Sequence, residues 1–361
     1  MSRSLQITAL TLLLTAPAPA FSQQAPAEAA KSPPAAGKSA PLAPPPIFTL
    51  PGIANTPITG APAAPPTAAS DTAPAVRDWR HSKAPPDLAF GAFQLGLFVT
   101  AQREAAKRLQ FNPNDAAAMT LLGEIYRDGL GVKPDAAAAT RWFRLAAGLG
   151  DGQAAFAVAR TLLDDNGPTA NKAEARRFLE QAASAGHGPA LYNLGVMAID
   201  GEIKDYKKGA ELFRKAMEQG DIDGAYALSF LLREGLGVEK NPEAMLQALK
   251  FAAERRHNAA EVDYAIALFN GNGVEKDEKA AAVWFTKAAW RNSPVAQNRL
   301  ARLYAAGRGV KQDDVEAMKW HIIARSNGVK DDWLEDRLPK LTKTQRALVD
   351  EAVRKFASSF N

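Results

Sequence analysis

Residues 124–151, EIYRDGLGVKPDAAAATRWFRLAAGLGD, contain the pattern that decides the fold. The turn Gly129-Leu130-Gly131-Val132 recurs in related form at residues 235–238, 271–274 and 307–310. A set of alanines recurs with it, at spacings of 36, 34, 36, 36 and 36 residues: Ala146, Ala182, Ala216, Ala252, Ala288 and Ala324. A period of this length predicts a solenoid built from two-helix units.

A phosphate-binding glycine loop is the competing interpretation of the same turn. Such a loop occurs once, after a strand, and its GxGxxG pattern ends in glycine. Here the turn is repeated, the preceding segment has helical periodicity, and Pro134 occupies the last glycine position. The sequence therefore favours a turn between two helices, in which the first glycine ends the helix by adopting a left-handed conformation.

Two positions in the first helix of each unit, helix A, carry small residues only. One holds Ala118, Ala154, Ala190, Gly224, Ala260 and Ala296; the other holds Gly123, Ala159, Gly195, Ser229, Ala265 and Ala301. Between them lies a larger position, here called the leucine position: Leu122, Val158, Leu194, Leu228, Tyr264 and Leu300. Closely packed helices need small residues where they cross. In helix B, the second helix, we expect the buried stripe to include Trp142, Phe178, Leu212, Ala248, Trp284 and Trp320.

The combined pattern resembles the Sel-1-like repeat family, a relative of the tetratricopeptide repeats. It runs small-x3-Leu-Gly-x2-Tyr-x2-Gly-x-Gly-Val, followed by Ala-x2-Trp and Ala-Ala, over about residues 114–328. The resemblance implies an all-α, right-handed α-solenoid of about six repeats, whose members are mainly adaptors and scaffolds. The third unit is two residues short and lacks the second glycine, so we expect altered superhelix geometry there.

The flanks of the repeats predict four further segments. Residues 1–22 indicate an export signal, with Arg3, an apolar run over residues 5–14 that is too short to span a bilayer, and small residues for cleavage. Residues 23–86 are rich in Pro and Ala and predict a disordered linker. Residues 87–113 and 329–361 predict helical caps at the two ends of the stack. The apolar island at 47–53 is either a docking motif or incidental.

Composition excludes several classes of chemistry. The 361 residues include no cysteine, which rules out disulfides, thiol nucleophiles and cysteine metal sites. The net charge of +5 is spread along the chain, so no nucleic-acid partner is expected.

His187 and His257 recur in one turn position, two units apart, and are expected to be exposed rather than metal-binding. Aspartate pairs at 164–165, 313–314 and 331–332 are expected to cap helices. We therefore expect no enzyme activity, no cofactor and no metal.

The remaining candidate site is the groove. In tetratricopeptide relatives helix A lines the concave face, and the resemblance implies that residues two before and two after the leucine position face inward. With the residues one turn further on, units two to five present an apolar strip edged by arginines: Phe156, Arg160, Tyr192, Val196, Ile199, Tyr226, Phe230, Arg233, Val262, Ile266 and Phe269. Such a strip suits a peptide or helix. Packing between units is the alternative explanation for the same residues.

The sequence thus predicts an exported scaffold or regulator, periplasmic or secreted. Its expected partner is a protein or peptide of the cell envelope, and no membrane insertion is expected after signal cleavage. The alternative function is binding or remodelling of cell-wall glycan. A saccharide site favours aromatic platforms beside carboxylates, whereas Trp142, Trp284 and Trp320 fall in the predicted buried stripe of helix B.

Overall fold

The computed structural model describes residues 87–164, 171–201 and 203–359, and within these ranges every regular element is a helix. Within the described residues, two helices precede the repeats, α1 (Leu88–Gln94) and α2 (Phe98–Phe111). The predicted signal and linker, Asp165 and the island at 47–53 lie outside the described residues. None of the described helices combines the length and apolar character needed to cross a bilayer.

Six helical hairpins follow in register, which confirms the predicted right-handed α-solenoid. The A helices are α3 (Ala116–Asp128), α5 (Gly152–Leu162), α7 (Gly188–Ile199), α9 (Ile222–Glu234), α11 (Asn258–Asn270) and α13 (Pro294–Ala306). The B helices are α4 (Ala136–Gly148), α6 (Lys172–Ser184), α8 (Tyr206–Glu218), α10 (Pro242–Glu254), α12 (Glu278–Trp290) and α14 (Asp314–Ser326). Each A helix packs on its own B helix, and from unit two onward also on the B helix of the unit before; the first A helix packs on α2 instead.

The helix ends follow from local sequence. Most helices start after an Asp, Asn or Ser whose side chain accepts a hydrogen bond from a backbone N–H of the first turn, as Asp135 does from Ala138 at 2.8 Å. Four A helices end at the predicted glycines, with φ between 65° and 79°: Gly129, Gly235, Gly271 and Gly307. The Gly129 turn of unit one, which could have been a phosphate-binding loop, therefore ends a helix.

The second glycine of the turn has a separate role. A Cβ at Gly237, Gly273 or Gly309 would lie closer than 3.0 Å to backbone atoms at the start of the preceding unit's helix B, such as those of Tyr206 for Gly237. Only glycine lets the turn approach the neighbouring unit this closely. This glycine therefore joins successive units rather than ending a helix.

Each B helix has a buried residue one position after the predicted one, and these residues form a row. Phe143, Leu179, Phe213, Leu249, Phe285 and His321 are each at most 3% exposed. Trp142 and Trp320 of the predicted stripe are also buried, but Phe178, Leu212 and Trp284 are only partly so. The prediction was therefore right about the face of the helix and wrong about its centre. The small positions of helix A match this row, because Gly123 and Gly195 lie against the rings of Phe143 and Phe213.

Helical caps close both ends of the stack, as predicted. The C-terminal cap consists of α15 (Asp332–Glu335), a 3₁₀ turn (Leu338–Lys340) and α16 (Lys343–Ser358), and Thr342 and Gln345 form a capping box at the start of α16. At the N-terminal end, Phe90 is 50% exposed, whereas Ala89 and Ala92 are buried. The left-handed Gly96 turns the chain between α1 and α2, so this cap is a pair of helices.

Candidate partner-binding surface

The structure places the eleven predicted groove residues in three classes. Six are buried: Phe156, Tyr192, Ile199, Phe230, Val262 and Phe269. Val196, Tyr226 and Ile266 are half-buried, and Arg160 and Arg233 are exposed. The buried six hold units together in this conformation. The other five form the accessible strip, which is the name used for them below.

The rings two residues before the leucine position pack against the next unit. Phe156 stacks on His187 and Tyr226 stacks on His257, with 4.4 Å between ring centroids in both pairs. Both histidines stand at the N-cap of the following A helix, and His257 Nδ1 accepts from the Ala260 N–H at 3.1 Å. The histidines are thus half-buried packing partners, which corrects the expectation that they are simply exposed. Burial lowers the pKa of each.

A polar network underlies the strip between units four and five. The Tyr226 hydroxyl donates to Asp263 Oδ2 at 3.0 Å, and the Arg233 guanidinium lies 3.9 Å from the same oxygen. The Arg233 guanidinium also lies over the Phe230 ring, 5.2 Å from its centre. Burial raises the pKa of both Asp263 and Tyr226. Arg233 Nε also donates to Glu234 Oε1 at 2.8 Å, and together these contacts orient the Arg233 cation at the edge of the strip.

Two further carboxylates stand at the start of α9. Asp221 caps the helix, and burial raises its pKa to about 6, with the neighbouring Asp223 adding to the shift. Asp223 is exposed, and its Oδ1 lies 3.5 Å from Nε2 of His257. With Asp263, these groups make the surroundings of the strip acidic in units four and five. Sequence reasoning did not include them, although Asp263 directly precedes the leucine position.

In unit six, the C-terminal cap covers the residues of helix A that correspond to the groove residues of the earlier units. Asp331, predicted as a helix cap, is the N-cap of α15. Its carboxylate also accepts from Arg302 at 2.6 and 2.9 Å and from Asn298 at 2.7 Å. Burial by itself would raise the pKa of Asp331, but these hydrogen bonds outweigh it and hold the pKa below the ordinary value. Asn298 and Arg302, the inward-facing residues of unit six, are therefore already hydrogen-bonded to the cap.

The accessible strip offers contact surface rather than reactive chemistry. Val196 and Ile266 supply branched apolar groups, Tyr226 an aromatic edge, and Arg160 and Arg233 cations. Over the described residues, no three His, Asp or Glu side chains come together as metal ligands. The large tryptophans of helix B, Trp142 and Trp320, are 5% and 1% exposed and give no open aromatic platform.

The fold and this surface define a class, the α-solenoid of helical-hairpin repeats. Residues 116–151, 152–187, 188–221, 222–252, 258–290 and 294–329 each match the Sel1 repeat, and the chain belongs to the Sel1 repeat family. Sel1 repeat solenoids are generally protein-interaction scaffolds, typically without enzymatic activity. The resemblance in the sequence is thereby confirmed.

One solved structure has the same fold, and two further proteins resemble this chain in sequence. A Sel1 repeat protein from Oxalobacter formigenes is 24% identical, with 68% of this chain and all of that chain covered and a TM-score of 0.55. A protective antigen of uropathogenic Escherichia coli is 26% identical, covering 72% of this chain and 64% of the other at a TM-score of 0.48. A chitin synthase regulator of Saccharomyces cerevisiae is 33% identical over 100 residues, 27% of this chain and 14% of the regulator. The chain thus spans less than two thirds of the antigen and about a seventh of the regulator.

Proposed function

We propose that this protein is an exported scaffold or regulator that binds a protein or peptide partner of the cell envelope along its A helices. The observation that supports this most is the accessible strip itself. It is the part of the predicted groove that inter-unit packing and the C-terminal cap leave open, in units two to five. The export signal predicted in residues 1–22 supports the location.

The composition of the strip favours one kind of partner. Val196, Tyr226 and Ile266 provide apolar contact, and Asp223 and Asp263 provide negative charge beside it. A segment with apolar residues and at least one Lys or Arg complements this surface, and Arg160 and Arg233 pair with carboxylates at its ends. Interface energy tends to concentrate in a few aromatic and Arg residues, so Tyr226 and Arg233 are the expected main contributors.

Site-specific photo-crosslinking in intact cells tests the proposal. A photoreactive residue is placed at Val196 or Ile266, and a matched control at Val283, an exposed residue of helix B that is 54% accessible. We expect one envelope protein to be crosslinked from both strip positions and not from Val283. Crosslinks from Val283 alone would move the interface to the other face of the solenoid.

The location has its own test. N-terminal sequencing of the protein from the envelope fraction should give a mature chain that begins near Phe21 or Gln23. An intact N-terminus on cytoplasmic protein would contradict export while leaving the binding strip open to the crosslinking test.

A further inference from the structure

A cavity of about 410 Å³ lies at the C-terminal end of the solenoid, outside the accessible strip. It opens between α14, the short segment that follows Trp333, and the first turn of α16. Its volume is within the roughly 300–1,000 Å³ of small-ligand sites. The proposed scaffold function does not use it.

The floor of this cavity is apolar and fixed by the core. Met318 is 1% exposed and Leu341 is 8% exposed, and Trp333 stands half-buried beside them. The Arg337 guanidinium carbon lies 4.3 Å from the centre of the Trp333 ring, and Arg337 donates to the Ala305 carbonyl at 3.4 Å. The guanidinium is therefore positioned next to the floor before any ligand arrives.

The charges on the rim are weakly satisfied within the protein. Asp314 Oδ1 lies 3.8 Å from Arg337 Nη1, near the limit of an ion pair. Lys340 lines the same cavity and is exposed, and over the described ranges no carboxylate lies within ion-pair distance of it. Two cations, Arg337 and Lys340, thus stand beside the apolar floor together with two carboxylates, Asp314 and Asp336. Asp336 on the same rim is an acceptor for an N–H group.

We propose that this cavity binds the C-terminal residue of a peptide that ends in an apolar side chain. The side chain lies on Met318, Leu341 and Trp333, and the terminal carboxylate lies between Arg337 and Lys340. A guanidinium matches a carboxylate with two parallel hydrogen bonds, which makes Arg337 the main contact. In this arrangement Asp314 competes with the ligand for Arg337. An acidic sugar shares the carboxylate but has no apolar group for the floor.

The first experiment is titration calorimetry of the full chain with two matched probes. N-acetyl-alanyl-leucine carries the free carboxylate, and its C-terminal amide differs only at that group. We expect the acid to bind saturably and about tenfold or more tighter than the amide, because only the acid forms charge-assisted hydrogen bonds. Equal affinity of acid and amide, or no binding of either, overturns the proposal.

Variants then assign the binding to this cavity. Lys340→Gln and Arg337→Gln should weaken binding of the acid, whereas Asp314→Asn should tighten it by removing the competitor. Lys340 is exposed, so Lys340→Gln keeps the test valid if Arg337→Gln loosens the cap, which a thermal melt reports. Unchanged affinity in Lys340→Gln and Asp314→Asn overturns the proposal. Tighter binding of glucuronic acid than of the peptide acid would instead assign the cavity to acidic sugars.

Discussion

At the scale of single residues, the fold depends on matched sizes across each hairpin. Gly195 in α7 stands opposite Phe213 in α8, and Gly123 in α3 stands opposite Phe143 in α4. Since the rings are fully enclosed, there is no room for even one further methyl group. Gly123 and Gly195 are thus required by the partner helix and not by helix propensity, which would favour alanine.

Gly195→Ala should therefore destabilise the protein. A Cβ at this position would lie 2.5 Å from the Phe213 ring, and overpacking of this kind costs about 1–3 kcal/mol. Gly148→Ala is the control, since a Cβ there meets nothing within 4 Å and alanine favours the helix by roughly 0.5–1 kcal/mol. Urea unfolding of both variants decides it. Two changes of the same sign would contradict size matching.

Asp331→Asn should cost about 3 kcal/mol at pH 7, because it leaves the Arg302 guanidinium without its carboxylate. The Asp331 side chain is 3% exposed. Its pKa is lowered in the folded protein, so the carboxylate's contribution is present above its ordinary pKa of 3.8 and is lost as pH falls through the lower folded value. The difference between parent and variant should therefore shrink below about pH 4 in denaturant titrations. A constant difference across pH would contradict this.

At the scale of helices, the repeat could be predicted from the sequence, but the residues at the centre of each buried helix face could not. The 36-residue period, the glycine caps and the Thr342 capping box could be predicted because each depends on neighbours in sequence. The centre of helix B could not, since Trp142 and Phe143 are adjacent and both apolar, and 3.6-residue periodicity does not separate them.

For a different reason, the sequence could not decide which of the groove residues are buried between units and which face a partner. Phe156 and Tyr226 are covered by His187 and His257, which lie 31 residues further along the chain in the next unit. That contact exists only once two units are stacked. The same holds for Asp331, which reaches Arg302 from the cap.

Asp221, which caps α9, should make the stability of the protein depend on pH. Its folded pKa is raised to about 6 from an ordinary 3.8, mainly by burial. Between about pH 4 and 6 the folded protein holds a proton that the unfolded chain has lost, so this group makes stability fall as pH rises. Asp221→Asn keeps a good cap and should flatten that part of the profile, by about 1–3 kcal/mol in total. Urea midpoints at pH 4, 5, 6 and 7 measure it.

The comparison of the two aspartates supplies the control. Asp221→Asn removes a decline in stability with rising pH, whereas Asp331→Asn removes an increase. The two variants should therefore change the slope of the stability profile in opposite directions. Slopes that change in the same direction would show that burial does not dominate at Asp221.

At the scale of the whole molecule, the hydrophobic core of the described residues falls into two clusters that meet in unit three. One includes the N-terminal cap and units one and two, and it ends with Ala190 and Leu194. The other begins with Leu191 and Tyr192 and continues to the C-terminal cap. Unit three is also the unit whose turn is two residues short and lacks the second glycine, and α6 packs less extensively on α7 than the other B helices do on the next A helix.

Unfolding should therefore occur in two cooperative parts. Repeat arrays are held together by contacts between nearest neighbours, and a weak junction separates the array into independent units. Hydrogen exchange measured by mass spectrometry should show one protection level for residues 87–187 and another for residues 206–358. A single level across both ranges would mean that the junction in unit three is as strong as the others.

Lengthening the short turn of unit three tests whether its length causes the weak junction. Inserting Gly and Val between Glu202 and Ile203 restores the length of the turn and the glycine that, in units four to six, lets the turn reach the preceding helix B. The two protection levels should then approach one another, because the repaired turn adds contacts between units two and three. The same two residues inserted between Asn272 and Gly273 lengthen a turn that is already complete, and they should weaken its junction instead. If both insertions act alike, the length of the turn does not govern coupling, and the division of the core at Ala190 and Leu191 must have its origin in side-chain packing alone.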